Sequence, residues 1–172
     1  MFISTGMEVV IHYEFLKGSQ GEIIIKELSI AAINVIDTLH FQSPYGMIPH
    51  GSAENGLNWD DGHIPYKQLE TVLSEAVAGY AHLYSYGVSK CRFLSELLAR
   101  PILNFEDFGC PDRKKLKSRY NCFLPCHSYN ISCATRNAHS FYKWLKYLFQ
   151  TKSYVNCPQN MTRHTNMFVS AI

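Results

Sequence analysis

Apolar residues fall in short dense runs near the start of the chain and at helical spacing further on. "MEVVIHYEFL" from Met7 is short, apolar and β-branched, and predicts a first strand. "KGSQGE" from Lys17 to Glu22 carries the Gly and Ser of a turn. "IIIKELSIAAI" from Ile23 predicts a second strand, apolar enough to be buried on both faces. "VIDTLHFQS" from Val35 predicts a third, so the chain opens as a three-strand meander. From Pro44 to Pro65 the pattern is that of a loop. In "PYKQLETVLSEAVAGY" the apolar residues Leu69, Val72, Leu73, Ala76 and Val77 follow the helical period and predict a helix. "AHLYSYG" reads as a fourth strand, "VSKCRFLSELLA" as a second helix and "ILNFEDFG" as a fifth strand. "CPDRKKLKSRYN" is a short basic helix, and "SCATRNAHSFYKWLKYLFQ" a final amphipathic one. Beyond Gln150 the chain is polar and patternless. The expected organisation is therefore a folded unit over residues 1–150 and a flexible tail over 151–172.

Antiparallel strands followed by alternating helices and strands imply an α/β fold. The sheet is mixed, of about five strands, with helices on both faces, which is the RNase H-like layout. The aromatic stripes "HLYSYG" and "SFYKWLKYLF" sit at strand and helix spacing and are expected in the core.

Composition narrows the function. A length of 172 residues favours one domain, and 47% hydrophobic with 17% charged residues excludes disorder by composition. A net charge of +2 leaves no general basic excess, so any nucleic-acid contact must be local. No apolar run approaches the ~18 residues of a membrane helix, so no membrane partner is expected. "MFISTGMEVVIHYEFL" lacks the basic flank and apolar segment of a secretory signal, which points to the cytoplasm or nucleus. In such a reducing compartment the six cysteines are thiols or metal ligands. The glycosylation patterns at Asn130 and Asn160 are then read as chance.

Chemistry concentrates in "CFLPCHSYNISC", where Cys122, Cys126, His127 and Cys133 fall within twelve residues. Such a cluster is a zinc signal; the alternative is buried thiols packing as small hydrophobes beside a solvated histidine. A redox pair is less favoured, because Cys-x3-Cys is not thioredoxin spacing. Cys91 and Cys110 read as packing residues, and His50, His63 and His82 lack metal-like partners nearby. Just before the cluster, Arg113, Lys114, Lys115, Lys117 and Arg119 form the densest basic run, next to Tyr120. Such a run is either a solvated face or a grip on a phosphate backbone with a stacking aromatic.

Short stretches resemble, in order, the motifs of the DEDD 3′–5′ exonucleases. They are "IHYEF", "KELSIA", "NGLNWDDGHIPYKQLETVL", "SYGVSKCRFL", "NFEDFG" and "ATRNA". Those enzymes hold a pair of Mg²⁺ ions with four acidic residues. Carried over, the acidic positions fall on His12, Glu14, Lys90 and Asn137, and the general-base histidine on Ser132. Only Glu14 keeps a carboxylate. The resemblance therefore implies a degenerate site in which Mg²⁺-dependent exonuclease activity is lost.

A second resemblance is to the maelstrom domain, a DEDD-derived fold carrying a Glu-Cys-His-Cys metal set. "KELSIA" places Glu27 at the position of its glutamate. His127 and Cys133 keep its His-x5-Cys step, and Trp144 lies eleven residues past Cys133, as in that domain. The first cysteine is displaced: the pattern wants it at Leu124, which Cys122 and Cys126 flank. The resemblance implies structural Zn²⁺ held by Glu27, His127, Cys133 and either Cys122 or Cys126. It further implies a pseudo-nuclease scaffold that binds single-stranded RNA in small-RNA silencing of transposons. An RNA nuclease that does not use the acidic tetrad and a protein-interaction domain are the alternatives.

Overall fold

The computed structural model describes residues 7–46, 57–119 and 133–155, without the side chains of 117–119 and 152–155. The element order is β1 (Glu8–Lys17), β2 (Ile23–Ala32), β3 (Val35–His40), α1 (Leu69–Val77), β4 (His82–Ser85), α2 (Val88–Leu98), β5 (Ile102–Asn104), α3 (Arg113–Arg119) and α4 (Ala134–Val155). The strands form one sheet in the order β3-β2-β1-β4-β5. β1, β2 and β3 pair antiparallel, whereas β4 and β5 run parallel to β1. This is the RNase H-like mixed sheet expected from the pattern.

Alternation along β1 separates two cores. Val9, Ile11 and Tyr13 pack with Leu69, Leu73, Val77, Leu94 and Leu98 of α1 and α2. Val10 packs on the other face with Leu116, Ala138, Phe141 and Trp144 of α3 and α4. Both faces of β2 are buried, as its apolar run predicts. The aromatic stripes are interior only in part: Tyr84 stacks on Phe105 and Tyr86 on Phe141, whereas Tyr147 is 51% exposed.

Three boundaries differ from the sequence reading. The predicted fifth strand stops at Asn104, whose side chain accepts from Glu106 N and caps a 3-10 turn over Phe105–Phe108. The first predicted helix likewise starts with a 3-10 turn at Tyr66–Gln68. The last helix runs on to Val155, past the domain boundary placed at Gln150. Among the described residues no helix is long and apolar enough to cross a membrane.

Candidate functional site

β1 and β4 stay paired only through Val10 and Tyr84. Beyond that pair the two strands part, and the next inward residues of β1 on the α4 face are His12 and Glu14. These are polar groups where the flanking residues are apolar. α2 enters from the end of β4 and brings Lys90; α4 brings Asn137. The four residues that stand at acidic positions in the DEDD resemblance thus meet in one cluster.

Glu14 Oε1 is its hub. It lies 3.1 Å from His12 Nε2, accepts from Asn137 Nδ2 at 3.1 Å and from Arg113 Nη1 at 3.1 Å, and lies 4.0 Å from Lys90 Nζ. Lys90 Nζ also donates to the Tyr13 carbonyl, sits 3.2 Å from His12 Nε2 and lies over the Tyr13 ring at 4.7 Å. Burial pushes the Glu14 carboxyl upward, but the hydrogen bond from His12 and the charges of Lys90 and Arg113 outweigh it. The net shift is below the ordinary value, so Glu14 is ionised. His12 is 1% exposed, and burial with the neighbouring Lys90 charge lowers its pKa to about 3, so its ring is neutral. Burial likewise lowers Lys90 to about 8, a shift that Glu14 opposes and Arg113 reinforces.

This donor set does not fit a pair of magnesium ions. One carboxylate remains where such a centre needs several, and a lysine and an arginine already neutralise it. Lys90 Nζ at 4.0 Å and Arg113 Nη1 at 3.1 Å already lie against that one carboxylate.

The expected zinc ligands are only partly within the described residues. Glu27 and Cys133 are both 0% exposed. Glu27 is the cross-strand neighbour of Glu14 on one side and of His40 on the other, with His40 Nε2 at 4.0 Å from its Oε1. Cys133 precedes α4, whose first turn is fastened to the same sheet face by Thr135 Oγ1 to Thr38 Oγ1 at 2.8 Å. Cys122, Cys126 and His127 lie outside the described residues, as does Ser132. Among the described residues no three His, Cys, Asp or Glu side chains form a metal-binding group. Glu27 on β2 and Cys133 just before α4 are a buried carboxylate and a buried thiol, donor types that suit Zn²⁺. They would hold it as a structural ion pinning α4 to β2.

The basic run divides. Lys114 and Lys115 are exposed on α3, but Arg113 turns inward to Glu14. One nitrogen of Arg113, a residue expected to contact phosphate, is thereby engaged in the cluster. The side chains of Lys117, Arg119 and Tyr120 lie outside the described residues. Cys91 and Cys110 are buried packing residues, as expected, with thiols pushed up by burial to about 11 and about 12.

Sequence reading missed a second buried cation. Lys26 is 2% exposed, yet its Nζ donates to Ser43 Oγ at 3.0 Å, Trp59 O at 2.8 Å and Asp61 O at 2.6 Å. It borders a cavity of about 600 Å³ shared with His40, Asp61 and His63. The only signal in the sequence was a lone lysine inside an apolar strand. No known family model matches the chain, and no curated protein matches it either.

Proposed function

We propose that this chain is a degenerate DEDD-type, maelstrom-like domain that binds single-stranded RNA on a zinc-stabilised scaffold. It does not hydrolyse RNA by the two-metal route. The observation that carries the reading is the convergence of His12, Glu14, Lys90 and Asn137. Residues chosen by motif order alone, and up to 125 positions apart, share one hydrogen-bonded cluster at the point where the parallel strands diverge. The cluster and the neighbouring face of α3 are basic, which supports a phosphate-bearing partner in a chain of net charge +2. By analogy with the maelstrom domain, the cellular role is in small-RNA silencing of transposons.

The test is titration of labelled single-stranded RNA at low and moderate salt, with an end-labelled strand and Mg²⁺ in parallel. Expected are binding that weakens with salt and no shortening of the strand. Changing Lys114, Lys115 and Lys117 together to Glu is expected to weaken binding strongly, with the melting temperature nearly unchanged. Shortening from the 3′ end, abolished by Glu14→Gln, would restore the two-metal mechanism. No binding at low salt would leave a protein-interaction domain in its place.

A further inference from the structure

Next to the Glu14 cluster lies a cleft of about 400 Å³. His12, Lys90 and Arg113 line it on one side; Tyr86, Glu106 and the first turn of α2 complete it. Gly87 enters α2 with φ 97° and no side-chain cap, and the first helical hydrogen bond is Cys91 N to Gly87 O at 3.0 Å. The amides of Val88, Ser89 and Lys90 therefore precede the helical ladder and sit at the positive end of the helix dipole. Two cations, Lys90 and Arg113, share the single carboxylate Glu14, while His12 is neutral. Glu106 supplies a negative group on the exposed rim, where its Oε2 accepts from Asn104 Nδ2 at 3.0 Å.

His12 adds an independent pointer. Lys90 has the Tyr13 carbonyl as acceptor, and Asn137 has Glu14. With Nε2 carrying the ring proton toward the Glu14 carboxylate, the Lys90 amine and the Asn137 amide, 3.2 Å and 3.3 Å from Nε2, have the Tyr13 carbonyl and Glu14 as acceptors. Nδ1 then bears a lone pair, and it has no hydrogen-bond partner among the described residues. A buried acceptor without a donor among the described residues is open to one from a ligand.

We propose that this cleft holds one nucleotide of an RNA strand without a divalent ion. The first-turn amides of α2 and the N–H groups of Arg113 beyond the one given to Glu14 take the phosphate. His12 Nδ1 accepts from a ribose hydroxyl. The combination selects a ribose phosphate, because phosphate alone offers Nδ1 no proton and the 2′-hydroxyl is what separates RNA from DNA. The inference rests on the RNA-binding reading and specifies its site.

The test is fluorescence anisotropy with RNA and DNA single strands of one sequence, in buffer without added Mg²⁺. Wild type is expected to bind RNA more tightly than DNA. Arg113→Ala should weaken both by about tenfold, the loss of a charged hydrogen-bonding group. Glu106→Gln, at an exposed position, should tighten both by removing the rim charge. His12→Phe should collapse the preference for RNA. Wild type that binds no RNA overturns the reading beneath the inference. RNA binding that responds neither to Arg113→Ala nor to Glu106→Gln overturns the cleft alone. An unchanged RNA-to-DNA ratio in folded His12→Phe removes the ribose contact.

Discussion

At the scale of single residues, His12 couples the cluster to pH. In the native chain it binds a proton only near pH 3, against an ordinary value of 6.5. Between those values the unfolded chain takes up a proton that the native one cannot, so stability falls as pH drops through that window. Glu14, also lowered, acts with the same sign. The melting temperature is therefore expected to fall steadily from pH 7 to pH 4, and His12→Gln should lose part of that slope. Parallel melting curves for the two proteins across the range would dissociate His12 from the effect. The DEDD resemblance grouped His12 with Glu14, Lys90 and Asn137, but nothing in the sequence joined Arg113 to them.

At the scale of elements, β2 illustrates how an apolar strand hides a polar device. Glu14 pairs with Glu27 and Phe15 with Ile25, so Lys26 is the extra residue of a β-bulge. The bulge re-aims its side chain onto the carbonyls of Trp59 and Asp61 and fastens the segment that precedes α1. Gly62 completes the fastening: its φ is 112°, and a Cβ there would strike the Phe41 carbonyl. Lys26→Met keeps the volume but leaves buried acceptors without a donor. It is expected to cost roughly 2–4 kcal/mol, read as a lower urea midpoint with unchanged slope. A loss within a few tenths of a kcal/mol would mean that water replaces the ammonium there. The bulge explains why this was illegible: strand periodicity has no term for one extra residue.

At the scale of the whole molecule, the proposed zinc would join the sheet to α4. Glu27 in the middle of β2 and Cys133 at the start of α4 are both sealed from solvent. Ligand loss should act on global stability, because structural zinc binding is coupled to folding. Elemental analysis of the purified protein is expected to give one zinc per chain. Cys133→Ala and His127→Ala should each lower the melting temperature strongly, as should substitution of one, but not the other, of Cys122 and Cys126. Folded protein without metal would reassign Cys133 to packing.

Much of the architecture was legible along the chain. Short apolar runs with β-branched residues marked the strands, 3.6-residue spacing marked the helices, and their order implied the mixed sheet. These signals are local: a residue's own burial and its near neighbours set them. What tertiary structure alone decided was partnership. Arg113 and Glu14 are 99 positions apart and no motif joined them; sheet order with helix packing brought them together. Hydrophobic periodicity records that a side chain is buried but not what it is buried against. A basic run therefore looked uniform in the sequence, although one of its arginines closes onto a buried carboxylate while its neighbours face water. The end of the last helix was missed for a related reason: after Gln150 the polar Thr151, Lys152 and Ser153 interrupt the apolar stripe of a helix that nonetheless continues to Val155.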